Sequence, residues 1–334
     1  MRMTNSLNFA GVFPGQGSQY PGMCSKLLSE NAKLAEVFKM VSSVLGIDLR
    51  EMMEKGIMKE LTKSKNAQPL VLTASYVLFS ALKDMALGNF KVLVGHSLGE
   101  LSAFVVAGGI GIEEAVLFAR RRGEIMDEAQ QKGFGHAGIV LDVTAEQLEK
   151  AVKLAVGYGY VTISGYNSPR QYIVAGTKKG LSKLDEYVSE WNGHYIPFRM
   201  MPMKMDAPYH SPLMEPLREA IASELENLHF NDLKIPVFST VTASVLTSAV
   251  QIKEALLNQI TSPVLWTQAL EGAGHSFGLD FFVDIGPNII SKNLIDENPS
   301  LKECLYWEGK YEGDENLIFS ASRAQKKVRT ASNF

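Results

Sequence analysis

The stretch that decides the fold is Lys91-Val-Leu-Val-Gly-His-Ser-Leu-Gly-Glu100. Its first four residues, Lys91–Val94, predict a short buried strand, and the segment Leu101–Ala107 predicts a helix. Between the two lies Gly95-His-Ser-Leu-Gly99, which matches the pattern G-x-S-x-G. In a strand–turn–helix context this pattern indicates a nucleophile elbow, a sharp turn that exposes the hydroxyl of its central serine.

The two glycines of this turn and its central serine suit that geometry. A Cβ atom on Gly95 or Gly99 would collide with the neighbouring strand or helix. Ser97 would lie at a helix N-terminus, where free N–H groups and the positive end of the helix dipole favour a developing oxyanion. The alternative interpretation is a glycine-rich turn in which Ser97 only caps the helix.

The composition of the chain limits the classes of protein it can belong to. Its 334 residues are 46% apolar and 21% charged, as in soluble globular proteins. A net charge of -3 gives no reason to expect a nucleic acid or an anionic membrane as partner. Cys24 and Cys304 are too far apart for a disulfide framework or a zinc motif, which suits a reducing cytoplasm. The polar start, Met1–Asn8, predicts neither a signal peptide nor an anchor, and no apolar run is long enough to span a bilayer.

The order of the predicted elements divides the chain into a main domain and an insert. Residues 134–203 predict strands and helices in the order βαββαβ, which is that of a ferredoxin-like module. We therefore predict an α/β fold in which residues 1–133 and 204–320 form an α/β-hydrolase-like catalytic domain with a parallel sheet. The polar and basic end of the chain, 321–334, is predicted to be a loosely ordered tail.

Two further segments carry candidate site residues. Pro14-Gly-Gln-Gly-Ser-Gln19 follows the apolar strand Phe9–Phe13 but lacks the later residues of either nucleotide-binding fingerprint. It predicts a loop of backbone N–H donors beside the active site, or else an ordinary turn between strand and helix. Arg120-Arg-Arg122 lies in the predicted helix Ile112–Gln130. Successive helical side chains point about 100° apart, so at most two of the three arginines can face a site.

A serine nucleophile needs a base, and a histidine is the usual one. His210 is favoured among the six histidines because it lies in a loop after the main domain resumes. The order serine before histidine is also that of the α/β-hydrolases. Asp206 is a candidate to orient His210, although a turn or helix cap is an equally good interpretation of it.

Seven motifs, taken together, resemble one family. They are Phe13-Pro-Gly-Gln-Gly-Ser-Gln19, Gln68-Pro69, Gly95-His-Ser-Leu-Gly-Glu100, Arg122-Gly123, Tyr166-Asn-Ser-Pro169, Pro208-Tyr-His210 and Asp284-Ile-Gly-Pro287. In this order they are similar to the malonyl-CoA:acyl carrier protein transacylase family of fatty acid and polyketide synthesis. The resemblance extends from about Phe9 to about Ile318.

The resemblance implies a role for each matching residue of the reaction centre. Ser97 would be the nucleophile that carries the malonyl ester, and His210 the general base. The main-chain carbonyl of Gln259 would orient His210, which lowers the weight on Asp206. Arg122 would bind the free carboxylate of malonate, because a planar guanidinium can hold a carboxylate through two hydrogen bonds.

The resemblance also assigns the rest of the site. The backbone N–H groups of Gln16 and Leu98 would form the oxyanion hole, and Gln68 and Asn167 would line the pocket and its mouth. At Tyr209 the bacterial fatty-acid members often have a small residue. A bulky aromatic there resembles the malonyl-selecting pattern of the polyketide branch, since it would collide with an α-methyl group.

The expected function is transfer of malonyl from malonyl-CoA to the phosphopantetheine thiol of an acyl carrier protein. The alternatives are a thioester hydrolase that uses the same serine and histidine, and an inactive carrier-docking protein. No metal or resident cofactor is expected, and the protein is expected to be a cytoplasmic monomer. Basic side chains of the insert are candidates for contact with the acidic carrier protein; they are Arg170, Lys178, Lys179 and Lys183.

Overall fold

The computed structural model describes residues 7–84, 90–201, 206–311, 316–320 and 325–329. The strands are β1 Phe9–Phe13, β2 Phe90–Gly95, β3 His136–Leu141, β4 Val161–Ser168, β5 Gln171–Gly176, β6 His194–Pro197, β7 Val237–Phe238, β8 Val245–Leu246, β9 Phe281–Asp284, β10 Cys304–Tyr311, β11 Asn316–Ser320 and β12 Gln325–Arg329. The helices are α1 Ser25–Glu30, α2 Ala32–Leu45, α3 Leu49–Lys55, α4 Met58–Leu61, α5 Ser64–Asp84, α6 Leu98–Val106, α7 Ile112–Lys132, α8 Ala145–Ala155, α9 Lys178–Ser189, α10 Arg218–Leu225, α11 Ala249–Gln259, α12 Trp266–Phe277 and α13 Ile290–Asp296, with short 3-10 helices at Phe198–Met200 and Pro212–Leu217.

The main domain is built on one sheet whose strands run in the order β12-β11-β10-β9-β1-β2-β7-β8. The five central strands, from β10 to β7, are parallel. Both faces of β1 are buried, as expected for a parallel strand covered by helices on both sides. Phe9 and Phe13 pack into one apolar cluster and Ala10 and Val12 into another, because successive side chains point to opposite faces. The predicted parallel sheet with a nucleophile elbow is confirmed.

The insert has a sheet of its own, with the strand order β4-β5-β3-β6 and antiparallel pairing throughout. Helices α8 and α9 cover one face of it, where Val140 and Val174 are buried in a separate apolar cluster. This order and pairing are those of the predicted ferredoxin-like module. The opposite face of the sheet is left to meet the main domain.

The end of the chain was predicted to be a loosely ordered tail over 321–334; residues 325–329 of it are described by the structure, and 321–324 and 330–334 lie outside the described residues. Gln325–Arg329 form β12, which pairs with β11 in antiparallel register from Asn316 opposite Arg329 to Ser320 opposite Gln325. The backbone ladder gives this polar segment hydrogen-bond partners, which composition alone did not indicate. The antiparallel edge strands β8, β11 and β12 extend the predicted parallel sheet on both sides.

Helix α5 begins at Ser64, so Pro69 lies inside it, in its second turn. A proline cannot donate to the carbonyl four residues before it, which here is that of Lys65. Arg120 of α7 supplies the missing donor, since its Nη1 lies 3.2 Å from that carbonyl oxygen. Among the described residues, no helix combines the length and the apolar character needed to cross a bilayer.

Candidate active site

The turn between β2 and α6 is a strained elbow with Ser97 at its centre. Ser97 has φ 52° and ψ −112°, a conformation that non-glycine residues rarely adopt. A Cβ atom on Gly95 would lie 2.1 Å from the backbone nitrogen of Glu100, and one on Gly99 would lie 2.1 Å from the backbone oxygen of Phe13. Glycine is therefore required at both positions by close approach of the backbone.

Ser97 and His210 are brought together from positions far apart in the chain. The Ser97 Oγ atom lies 2.7 Å from Nε2 of His210, and Nδ1 of His210 lies 2.8 Å from the backbone oxygen of Gln259. The rival candidate for orienting His210, Asp206, lies elsewhere. Its carboxylate contacts Nδ1 of His136 at 2.8 Å and accepts from the backbone N–H of Ala137.

The surroundings of His210 keep its imidazole neutral. Burial, and after it the positive charge of Arg122, lower the pKa of His210 to about 3. A carbonyl oxygen can only accept, so Nδ1 carries the proton and donates it to Gln259. Nε2 is then the acceptor for the Ser97 hydroxyl. This is the tautomer that a base needs to deprotonate the serine.

Arg122 is the only member of the arginine triplet that lines the pocket. It is 4% exposed, and it donates from Nη1 to Gln68 Oε1 at 2.8 Å and from Nη2 to Gln259 Oε1 at 2.9 Å. Burial lowers its pKa to about 10, so it stays charged at neutral pH. Both of these partners are neutral amide oxygens. The Glu100 carboxyl group, whose charge raises the pKa of Arg122, is joined to it through Gln259. Neither side chain that holds the guanidinium is a carboxylate, so it can bind the carboxylate of a ligand.

The other two arginines of the triplet have structural partners. Arg121 forms ion pairs with Glu124 and Glu224 at the surface. Arg120 donates to the Lys65 carbonyl and to Asn66. At most two of the three arginines were predicted to face a site, and one of them, Arg122, does so.

The sequence did not predict a buried polar network that joins the elbow to Arg122. The Gln259 side chain donates from Nε2 to the Ser97 backbone oxygen at 3.1 Å and to Glu100 Oε2 at 2.8 Å, while its Oε1 accepts from Arg122. Glu100 also accepts from the backbone N–H of Thr240, and burial raises the pKa of its carboxyl group. The sequence pointed to Glu100 alone among these partners, because Glu100 is the last residue of the elbow motif, three residues after Ser97.

A pocket of about 280 Å³ opens above Ser97, between the main domain and the insert. Gln16 and Leu98, the predicted oxyanion donors, both line it. Leu98 is the first residue of α6, so its N–H has no acceptor within the helix. The Gln16 side chain is anchored outside the reaction centre, where its Nε2 donates to Thr62 O at 3.3 Å and to Ser64 Oγ at 3.2 Å.

Asn167 and Tyr209 line this pocket as well, whereas Gln68 contacts Arg122 without lining the pocket. Asn167 Oδ1 contacts Nε2 of His96 at 2.8 Å, which links the insert to the elbow. The Tyr209 hydroxyl donates to the Met126 carbonyl at 3.0 Å, and burial raises the pKa of this phenol well above its usual range. Gln68 is fully buried and holds Arg122, as described above.

The lysines proposed from the sequence to meet a carrier protein lie away from the pocket. They belong to α9, whose Leu181 and Leu184 pack on the helix-covered face of the insert sheet. Ile139 and Ile173, on the opposite face, line the pocket. Lys183 is also held by Glu186 at 2.6 Å. Alternation of side chains along β3 and β5 thus separates these lysines from the pocket.

Ser97 lies on an α/β-hydrolase-like elbow and is activated by a neutral histidine. This arrangement is typical of enzymes that transfer or hydrolyse acyl groups through a serine ester. The chain matches the acyl transferase domain family over residues 11–297. It belongs to this family, within the group of the malonyl CoA-acyl carrier protein transacylases.

Similar proteins and structures show how far this relationship extends. The chain is 34% identical to the malonyl CoA-acyl carrier protein transacylase of Bacillus subtilis, over 86% of this chain and 89% of that protein. It is 32% identical to that of Escherichia coli K12, over 86% and 91%. An acyl carrier protein S-malonyltransferase from Vibrio cholerae superposes with a TM-score of 0.84 at 32% identity, over 90% of this chain and 96% of that one. A malonyl-transacylase in complex with its type II PKS acyl-carrier protein superposes with a TM-score of 0.83 at 30% identity, over 90% and 95%.

Proposed function

We propose that the protein transfers malonyl from malonyl-CoA to the phosphopantetheine thiol of an acyl carrier protein, through an ester on Ser97. One observation carries this proposal beyond general acyl transfer. Arg122, a buried cation held by two neutral amide oxygens, lines the same pocket as the Ser97–His210 pair. A guanidinium in that position suits an acyl group that ends in a carboxylate.

The first half-reaction loads the enzyme. His210 Nε2 takes the proton of the Ser97 hydroxyl as its oxygen attacks the thioester carbonyl. The N–H groups of Gln16 and Leu98 hold the oxyanion, an interaction commonly worth ~3–4 kcal/mol per donor. The bond from carbon to sulfur then breaks, and CoA leaves as a thiol with the proton returned by His210.

The second half-reaction transfers the malonyl group from Ser97 to the carrier protein. The phosphopantetheine thiol gives its proton to His210 and attacks the malonyl ester, the bond from carbon to the Ser97 oxygen breaks, and Ser97 regains the proton. The malonyl carboxylate stays on Arg122 throughout. In this proposal the protein acts as a cytoplasmic monomer and needs no metal or cofactor of its own.

Selectivity between acyl groups tests the role of Arg122. We expect Arg122→Ala to lose roughly 10²-fold or more in kcat/KM for loading from malonyl-CoA, because a charge-assisted bidentate contact is removed. Loading from acetyl-CoA should change little. The measurement is the mass of the acyl-enzyme over time, with Arg121→Ala as the matched control. An unchanged preference for malonyl in Arg122→Ala would contradict the assignment.

Tyr209 is proposed to exclude an α-methyl group from the same pocket. Its ring is 6% exposed and its hydroxyl is fixed on the Met126 carbonyl, so it has little room to move aside. We expect malonyl-CoA to be preferred over methylmalonyl-CoA in a direct competition. Equal kcat/KM values for the two thioesters would refute the steric argument.

A further inference from the structure

The side chain of Gln16 is anchored to the start of helix α5, away from the reaction centre. Its Nε2 atom lies 3.2 Å from Ser64 Oγ and 3.3 Å from the Thr62 backbone oxygen, and it donates to both. Ser64 is the first residue of α5 and is 2% exposed, but it does not line the Ser97 pocket. Any effect of its hydroxyl on the reaction must therefore pass through another residue.

Helix α7 holds the start of α5 in place. The Asp127 carboxylate accepts from the backbone N–H groups of Ser64 at 2.9 Å and of Lys65 at 3.1 Å, two donors that have no acceptor within their helix. A carboxylate at a helix N-terminus is also favoured by the helix dipole. The two helices approach closely here, because a Cβ atom on Gly123 would lie 2.5 Å from the Ser64 backbone oxygen. Ser64 is thus a firmly held point to which the Gln16 side chain is tied.

The loop that carries Gln16 has hydrogen bonds of two kinds. Within the loop, the Gly17 N–H donates to Gln19 Oε1 at 2.8 Å and the Ser18 hydroxyl donates to the Gly15 backbone oxygen at 3.0 Å. These contacts set the shape of the loop. The bonds from the Gln16 side chain to the start of α5 instead fix the loop against the main domain. The position of the Gln16 backbone N–H in the pocket therefore depends on them.

We infer that Ser64 is a positioning residue for the oxyanion hole, whose hydroxyl holds the Gln16 side chain and through it the Gln16 backbone N–H. The inference rests on the function proposed above, in which that N–H binds the developing oxyanion. A donor that is fixed in advance needs no reorganisation when the charge develops, whereas a loosened donor must be ordered at the transition state. Ser64 therefore acts on the rate of acyl transfer and not on the choice of acyl group, which Arg122 determines.

A double-mutant cycle tests this role. Ser64→Ala should lower kcat for loading of Ser97 by about three- to tenfold, the usual range for one neutral hydrogen bond, because Thr62 still accepts from Gln16. KM should stay within about twofold, since the contact matters only once the oxyanion forms. The loss should be the same from malonyl-CoA as from acetyl-CoA. In a Gln16→Met background, where the donor is already absent, Ser64→Ala should change kcat by less than about twofold.

Ser80→Ala is the matched control. Ser80 lies on the same helix, and its hydroxyl donates to the Tyr76 backbone oxygen at 2.8 Å. Both substitutions remove a hydrogen-bonded hydroxyl from α5, so each should lower Tm slightly, but only Ser64→Ala should lower kcat. The Tm of every variant is measured alongside kcat, so that a loss of folded protein is not mistaken for a slower reaction.

The outcomes separate this role from the proposed function. If Ser64→Ala loads at the wild-type rate, raises KM instead of lowering kcat, or loses as much in the Gln16→Met background as alone, the positioning role is wrong while the proposed function stands. A change confined to the preference for malonyl-CoA over methylmalonyl-CoA would also overturn it, because the Ser64 hydroxyl lies against the Tyr209 phenol and would then act there. If the wild type gains no malonyl on Ser97 from malonyl-CoA, the proposed function is wrong and the inference with it.

Discussion

The main domain and the insert each form one wall of the Ser97 pocket, and the two walls differ in the side chains that they present. In the main domain, Ser97, Glu100, Arg122, His210 and Gln259 form one hydrogen-bonded network. The insert contributes an apolar patch of Ala137, Ile139 and Ile173, beside polar lining residues that include Asn167 and Gln171. The network fixes protonation states and positions before substrate arrives, whereas the apolar patch keeps water out. Substitutions on the two walls should therefore affect different steps of the reaction.

The largest loss is expected from His210→Ala on the main-domain wall. Without a base, loading of Ser97 from malonyl-CoA should slow by about 10²- to 10⁴-fold. Burst kinetics of CoA release measure it. Asp206→Asn is the control, because that carboxylate contacts His136 and should leave loading near the wild-type rate. A large loss in Asp206→Asn would restore Asp206 as the residue that orients the base.

A smaller loss is expected from Glu100→Gln. The two carboxylate oxygens accept hydrogen bonds from the Thr240 N–H and from the Gln259 side chain. In Glu100→Gln the new NH₂ group would face one of these two donors, and two donors cannot form a hydrogen bond with each other. The Gln259 side chain would rotate and release Arg122, so the KM for malonyl-CoA should rise by about tenfold, the cost of losing roughly one charge-assisted hydrogen bond. Glu114→Gln at the surface, where Glu114 contacts His229, is the matched control. If Glu100→Gln lowers kcat alone and leaves KM unchanged, the network does not act through Arg122.

On the insert wall, Ile173→Ala should change the fate of the malonyl ester rather than its formation. Removing this apolar contact admits water, so hydrolysis of the malonyl-enzyme should rise a few-fold while loading stays close to the wild-type rate. The adjacent Val174 is the control, since it points into the insert's own apolar cluster. Val174→Ala should lower Tm and leave hydrolysis unchanged. The reverse pattern would mean that the insert does not shield the ester.

The smallest change is expected on acidification. The pKa of His210 is lowered from its usual value to about 3, so His210 binds no proton as the pH falls from 8 to 5. Loading of the free enzyme, followed as kcat/KM, should fall less than about twofold over this range, whereas a base with pKa 6.5 would lose roughly thirtyfold by pH 5. The stability of the protein, unlike the loading rate, should depend on pH in this range. The unfolded histidine binds a proton that the folded one does not, so the free energy of unfolding decreases as the pH falls below about 6.5. A rate that falls with an apparent pKa near 6.5 would contradict a neutral imidazole at His210.

The sequence predicted those parts of the site that lie in local motifs. Ser97 at its elbow follows from strand, glycine spacing and helix, all within ten residues of chain. The meeting of His210 with Ser97 needed chain order and family resemblance, because only the folded chain brings the two loops together. The position of Arg122 within its triplet likewise came from the resemblance, since helix periodicity alone allowed any one of the three.

The network around Glu100 could not be predicted in the same way. Its members Thr240 and Gln259 lie on segments more than a hundred residues away from Glu100, and their side chains carry no pattern that marks them as partners. The edge strand at Gln325–Arg329 was missed for a related reason. Its place in the sheet depends on pairing with β11, while its composition is that of an exposed tail.

The fate of the malonyl-enzyme tests the central claim most directly. The protein is loaded with malonyl-CoA, freed of excess CoA thioester, and divided between buffer alone and buffer with a holo acyl carrier protein. The account predicts that malonyl leaves Ser97 slowly in buffer and rapidly with the carrier protein, and that it appears on the phosphopantetheine thiol. Release of free malonate at the same rate in both samples would contradict transfer and identify the protein as a thioester hydrolase.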